Sequence, residues 1–281
     1  MQEARKLTIG MTVFDDWEGF YFTIQAIRMY HKEVSDQIEF IIINTNPESP
    51  QGLEVRKFCS AKWTKEPLHY YEDDNLRGTS TRDKIFSYAT TPYVLVIDSH
   101  VMLEAGSIKN LIDFYDSGRD CGNLIHGPMY YDHLNGGPCK FNIEWRGGMY
   151  GTWGFDEKVK SEEFFEIPAQ GLGLFSCRKD SWLGFHKEHE KFGGEEVYIH
   201  EKYRQTGKKT ICLSSLKWLH RFGRPNGVPY NIDWESRFKN YFREFLEIDK
   251  PVFEAIEHFK EIGISEKLIR KWISDVINKD G

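Results

Sequence analysis

This sequence predicts an α/β fold, a mostly parallel central sheet with helices on both faces. Three observations carry that reading. Short apolar runs recur through the first half, at Leu7 to Val13, Ile38 to Ile43 and Tyr93 to Ile97. Tyr93 to Ile97 is continuous, without the alternation of a strand with one wet face, and stretches with helical spacing separate the runs. An Asp-Ser-His triplet, Asp98 to His100, stands directly after the third run, at the end of a strand where open α/β sheets hold their ligands.

Each element has its own justification. Leu7 to Val13 (LTIGMTV) is apolar and rich in β-formers. Asp15 or Asp16 caps a helix in which Phe20, Ile24, Ile27 and Tyr30 or His31 recur at helical spacing. Ile38 to Ile43 (IEFIII) ends in the turn Asn44-Thr45-Asn46-Pro47. Thr79-Ser80-Thr81 caps a helix to about Ala89, and Tyr93 to Ile97 (YVLVI) is the next buried strand. From Gly127 to Gly154 glycine and aromatic residues dominate, which predicts irregular backbone or short antiparallel strands shaping a cleft. Gly193-Gly194-Glu195-Glu196 opens a helix to about Gln205. Pro225 to Pro229 (PNGVP) reads as a mobile loop. Helical periodicity returns from Pro251 (Phe253, Ile256, Phe259, then Leu268, Ile269, Trp272, Ile273, Val276) and predicts a C-terminal helical appendage. The expected division is 1–225 for a main domain, split at 127/128, and 226–281 for the loop and helical extension.

Composition narrows the function. No apolar run approaches the roughly 20 residues of a membrane-spanning helix. The formal charge of -6 provides no global basic field, so a nucleic-acid partner gains no support from it. Cys59, Cys121, Cys139, Cys177 and Cys212 are scattered without a C-x-x-C pair, which reads as reduced thiols rather than a disulfide framework or zinc site. The start, MQEARKLTIG, lacks the apolar run of a signal peptide. A cytoplasmic protein of bacterial or bacteriophage type is expected.

The chemistry centres on Asp98 and His100. In an extended chain, residues two apart point to one side, so both would project beyond the strand end. A carboxylate oxygen and an imidazole nitrogen suit Mn²⁺ better than Mg²⁺, which prefers oxygen alone. Taken alone, D-x-H can equally be a turn with an incidental histidine. The segment Gly78-Thr79-Ser80-Thr81-Arg82-Asp83 precedes it, and Phe192-Gly193-Gly194-Glu195-Glu196 and Trp218-Leu219-His220-Arg221-Phe222 follow.

In that order these segments resemble the GT-A glycosyltransferases. They are similar to family-2-type transferases and to the polypeptide N-acetylgalactosaminyltransferase group, whose metal motif is D-x-H. The resemblance covers about residues 7 to 225. It implies a GT-A fold, a nucleotide-sugar donor with UDP foremost, and a divalent metal, Mn²⁺ foremost. It implies metal ligation by Asp98, His100 and His220. Arg82 and Asp83 would hold the nucleotide or sugar, with Thr12 and Asp15 or Asp16 near the base and ribose. Glu195 or Glu196 would meet the sugar or acceptor, as a base if transfer inverts the anomeric centre. Residues 1–127 become the nucleotide-sugar half and 128–225 the acceptor half. Arg221 and Arg224 add donors for the phosphates, and closure of the PNGVP loop would exclude water.

The departures concern specificity. Asn44-Thr45-Asn46 replaces the usual Asp-rich turn, and no lectin module is present. The acceptor is left as a glycan, a protein side chain or a hydroxylated nucleobase. Two other readings compete. A nucleotidyltransferase would need a Gly-rich basic loop after the first strand, where Phe14-Asp15-Asp16-Trp17 stands. A catalytically silent carbohydrate- or nucleotide-binding module would keep the fold without turnover. The stretch His186 to Glu190 (HKEHE) reads as solvated surface, and Trp145, Trp153 and Trp182 as core or cleft wall. His126, His133 and His200 read as structural.

Overall fold

The computed structural model describes residues 4–61, 66–74, 78–224, 227, 229 and 233–280. In chain order the first half runs β1 (Leu7–Val13), α1 (Trp17–Tyr30), β2 (Ile38–Asn44), α2 (Pro50–Ser60), β3 (Leu68–Glu72), α3 (Asp83–Tyr88), β4 (Tyr93–Ile97), β5 (Val101–Leu103) and α4 (Ser107–Asp116). Then come β6 (Leu124–His126), β7 (Met129–Tyr130), the hairpin β8 (Lys140–Arg146) and β9 (Met149–Gly154), β10 (Phe164–Glu166), β11 (Leu174–Arg178), α5 (Glu195–Gln205), β12 (Thr210–Leu213) and β13 (Trp218–His220). The chain closes with α6 (Trp234–Glu247), α7 (Val252–Glu261) and α8 (Glu266–Asp280).

Eight strands form one sheet in the order β10-β12-β6-β11-β4-β1-β2-β3. The run β4-β1-β2-β3 is parallel throughout, while β11 enters antiparallel to both β4 and β6. Period-two alternation divides the side chains between two cores. Leu7, Ile9, Met11, Phe40, Ile42, Leu95 and Ile97 pack toward α1, α2 and α4. Ile41, Ile43, Val94, Val96 and Phe175 pack toward α3 and α5. Burial on both faces is why these strands read as continuous apolar runs. Gly10 makes the close approach of α3 possible, since a Cβ there would lie 2.1 Å from Ile85 Cγ2.

Two local expectations are corrected. Residues Gly78–Arg82 wind as a 3-10 turn, so α3 starts at Asp83 and Thr79 to Thr81 do not cap it. The strand ends at Ile97, and Ser99-His100 form a turn into β5 rather than continuing extended. The predicted loop at PNGVP lies outside the described residues at Pro225, Asn226 and Val228. A whole helix, α6, was not anticipated. Asp233 caps it, and Phe238, Tyr241, Phe242 and Phe245 recur along one face.

The C-terminal helices share a core with the rest of the chain. Phe238, Tyr241, Phe245, Phe259 and Trp272 join Phe141 and Tyr150 of the β8–β9 hairpin and Val197 of α5. The Tyr241 hydroxyl accepts from the Tyr150 backbone N–H at 2.8 Å. Among the described residues, no helix is long and apolar enough to cross a membrane.

Phe238 is fully buried against Phe242, Phe259 and Trp272, whereas Leu268 on α8 is 45% exposed. Phe238→Ala is expected to cost about 3–5 kcal/mol of unfolding free energy. Leu268→Ala should stay within about 0.5 kcal/mol. Urea unfolding of both variants checks whether α6 belongs to the cooperative core.

Candidate active site

Strand pairing builds the site. Beyond the last β4–β11 pair, the Asp98 N–H donates to the Gly173 carbonyl at 2.9 Å, fixing where Asp98 leaves the sheet. β13 pairs antiparallel with β5, with His220 opposite Val101, and the Arg221 N–H donates to the His100 carbonyl at 3.2 Å. That register sets His220 beside His100, 120 residues earlier in the chain, with Nε2 atoms 3.2 Å apart and rings perpendicular. Asp98 Oδ2 lies 3.6 Å from His220 Nε2 and 4.0 Å from His100 Nε2. Asp98, His100 and His220 thus each offer one ligand atom within 4.8 Å of the others.

The surrounding charges fix the protonation. His100 Nδ1 lies 2.7 Å from Asp16 Oδ2, so the carboxylate holds a proton on Nδ1 and leaves the Nε2 lone pair facing inward. The same Asp16 accepts from Ser99 Oγ at 3.0 Å and from the Gly19 N–H at the start of α1. The sequence placed Asp16 near base and ribose, but the fold turns it onto His100. Burial alone would raise the Asp98 carboxyl, yet Arg82, at 2.5 Å, and the two imidazoles hold it well below the usual carboxylate range. Burial lowers His220 and favours its neutral form. Two converging imidazole nitrogens and a carboxylate oxygen would repel one another unless a positive charge stood among them. Arg224 Nη2 supplies one at 2.6 Å from His100 Nε2. The donor set fits a divalent cation of intermediate softness.

The second acidic group opens α5. Gly193 and Gly194 both take positive φ, 101° and 115°, which only glycine adopts without strain. Glu195 turns inward, its Oε2 accepting from the Gly193 N–H at 2.9 Å. Glu196 Oε2 is buried without a partner. Burial, with Glu195 beside it, pushes its carboxyl up to about 8, against the opposing pull of Arg237 and Arg82.

The profile of the glycosyl transferase family 2 matches residues 8–148, half of the chain. The chain belongs to that family. Among solved structures, the chain is similar to GalNAc-T7 with UDP, GalNAc and Mn²⁺ (TM-score 0.69, 13% identity, 98% of this chain and 55% of that one). It is similar to S. aureus TarS 1–349 in complex with UDP-GlcNAc (0.62, 13%, 97% and 80%). It is also similar to the mannosyltransferase PcManGT from Pyrobaculum calidifontis in complex with GDP-Man and Mn²⁺ (0.60, 10%, 99% and 75%). The chain spans about half the length of GalNAc-T7. At these identities the likeness is one of fold, the GT-A fold. No curated protein sequence matches.

The transferase fold gathers Asp16, Arg82, Asp98, His100, His220 and Arg224 into one cluster. Other residues singled out in the sequence lie apart from it. Asp83 accepts from Trp182 Nε1 at 2.8 Å and from the Phe185 N–H, so its carboxylate braces the 182–185 segment. Asp15, at φ 46°, accepts from Asn46 Nδ2 at 2.9 Å and from Ser49 Oγ. Thr12 sits on β1 opposite Ile43. A polar depression of about 320 Å³, lined by Asn46, Pro47, Glu48, Glu72 and Asp74, lies beyond the carboxyl ends of β2 and β3. Arg221 reaches toward Glu18 at 3.5 Å.

One reading is overturned. HKEHE is neither helical nor wholly solvated. His189 is buried, its Nδ1 2.8 Å from Glu244 Oε1 and its Nε2 3.8 Å from Glu195 Oε2. Asn240 of α6 completes the clamp, donating to the Glu190 and Gly193 carbonyls at 2.8 Å each. Nothing local signals this, because Glu244 is 55 residues away. His126 at the end of β6 and His200 on α5 are both buried, with Nε2 atoms 2.9 Å apart. Trp182 stacks on Phe86, and Trp153 packs edge-on against Phe141.

Burial pushes Glu244 up to about 7, and the carboxylates around His189 outweigh its burial and raise it. Both folded values exceed the unfolded ones, so the folded state binds more protons. The stability is present below about pH 4.5 and is lost as pH rises through 7. Between pH 5 and 8 the wild type should therefore lose on the order of 3 kcal/mol relative to Glu244→Gln. Urea unfolding at several pH values measures the difference.

Proposed function

We propose that this transferase moves a sugar from a nucleoside-diphosphate sugar, with UDP as the nucleotide, to an acceptor hydroxyl. The convergence of Asp98, His100 and His220 at the carboxyl end of the sheet carries the reading. These three residues would hold a divalent cation, with Mn²⁺ favoured by the mixed nitrogen and oxygen donors. When bound, it would neutralise the charge that builds on the diphosphate as the glycosidic bond breaks. Asp16 acts through His100, fixing its tautomer. Arg82 orients Asp98. Arg224 and Arg221 stand where they can turn to the phosphates. Thr12 and Asp15 belong to the base-and-ribose end, beside the polar depression at Asn46. Residues 1–127 would serve the donor and 128–225 the acceptor, with α6, α7 and α8 of the 226–281 extension supporting the acceptor side.

The acceptor-side acid is Glu196. Glu195 is committed to the Gly193 N–H and His189, while Glu196 keeps an unpartnered oxygen. An ionised Glu196 that takes the acceptor proton would give inversion. A Glu196 that only hydrogen-bonds the sugar is compatible with retention, so the anomer of the product separates the two roles.

The first test is nucleotide release from a panel of nucleotide-sugars without acceptor, with Mn²⁺ or chelator. Release should be confined to one donor, should need metal, and should fall about a hundredfold or more in Asp98→Ala. His220→Ala should raise the half-saturating Mn²⁺ concentration about tenfold or more. Release that ignores both chelator and Asp98→Ala would remove the metal assignment.

Glu196 holds its proton at neutral pH and ionises as pH passes about 8. As a base it would give a rate that climbs from pH 6 and levels above about 8. Glu196→Gln should lower transfer about a hundredfold or more and abolish that limb. A pH–rate profile that is unchanged in the variant would exclude the role.

A further inference from the structure

One strongly basic group near this site has no task in the chemistry above. Arg82, Arg237 and Arg243 are the buried arginines among the described residues. Arg82 is paired with Asp98, and Arg243 lies 3.5 Å from Glu190. Arg237, on the first turn of α6, is 3% exposed and has no such anion. Its Nε has no hydrogen-bond partner, and its guanidinium lies 5.7 Å from the Phe192 ring centroid. Among the described residues no carboxylate comes within ion-pair distance of it.

The backbone approaches Arg237 closely at two glycines. A Cβ on Gly193 would stand 2.4 Å from Nε, and one on Gly148 would stand 3.1 Å from Nη1. Gly148 and Gly193 thus stand against the guanidinium, where a larger residue would clash with it. Nearby, Glu196 also keeps a buried oxygen without a partner, and Arg237 acts on its charge. An unpaired guanidinium in a protein interior is costly, and a conspicuous buried polar group without a partner calls for a ligand or ion to complete it. Arg82 is already bound to Asp98, which leaves Arg237 for the acceptor side, under the β8–β9 turn.

We propose that Arg237 binds an oxyanion, phosphate or carboxylate, carried by the acceptor next to the hydroxyl that receives the sugar. The substrate class is then an anionic acceptor rather than a neutral sugar. A planar guanidinium is suited to either oxyanion, because its N–H groups can donate in pairs. This inference rests on the transferase reading, which supplies the acceptor.

The test is an NMR titration of the full chain in chelator, so that no metal competes for the anion. The probes are inorganic phosphate, acetate and the neutral sugar methyl glucoside. Phosphate or acetate should shift the amides of Gly148, Phe192 and Gly193 saturably, and methyl glucoside should not. The tighter of the two anions names the group. Arg237→Gln should weaken that binding tenfold or more. Absence of saturable shifts in the wild type, shifts centred instead on Arg221 and Arg224, or unchanged binding in Arg237→Gln would each overturn the proposal. The wild-type shift map needs no variant, so a glutamine variant that fails to fold leaves the test intact. Nucleotide release needs no acceptor. Release with no anion binding therefore sinks only the role of Arg237, whereas anion binding with no release sinks the transferase reading.

Discussion

The site depends on a main-chain register. Three residue pairs join β5 and β13, and with the Arg221 N–H bond to the His100 carbonyl they bring His220 to the end of the turn that carries Asp98 and His100. A slip of one residue would send the imidazole to the opposite face, since side chains alternate along a strand. The neighbouring pairing of β4 with β11 fixes the other half through the Gly173 carbonyl. Side-chain chemistry then refines what the backbone has assembled. Asp16 sets a tautomer, Arg82 fixes a carboxylate, and Arg224 balances the charge.

A second constraint concerns buried charge. Glu195, Glu196, His189, Glu244 and Arg237 all lie in the interior around the start of α5. Carboxylates are rarely placed there without partners, because desolvation penalises the charged form. The partners come from α6, through Glu244 and Asn240, and from the 189–193 segment it clamps. The last helices therefore support the acids at the start of α5 as much as they enlarge the core. The apolar face of α6 and its polar groups serve the two purposes on one helix.

Much of this arrangement was legible in the sequence, for identifiable reasons. β1, β2 and β4 are buried on both faces, which leaves strands dominated by apolar residues and, in Tyr93–Ile97, an uninterrupted apolar run. The Asp98-Ser99-His100 triplet follows such a run directly, and His220 lies in a short motif of its own. What escaped notice depends on long-range partners. The orientation of Asp16 is decided by His100, 84 residues on, and the burial of His189 by Glu244. α6 did carry a readable signal in Phe238, Tyr241, Phe242 and Phe245. Lys, Arg and Glu interleave that stripe and lower its mean hydropathy, which hides it from a reading of apolar runs.

The 120 residues that separate His100 from His220 also bear on the order in which the protein comes into being. A chain leaves the ribosome from its N-terminus, and domains gain structure in that direction. Asp98 and His100 therefore emerge long before His220, and the helix that steadies Glu195 emerges later still. Contacts of such separation close late in folding, after the loop between them has been ordered. A nascent chain cut short before β13 would hold much of the sheet but only two of the three cluster residues. The three-residue cluster is thus complete only once β13 has emerged, and products truncated before it would lack it.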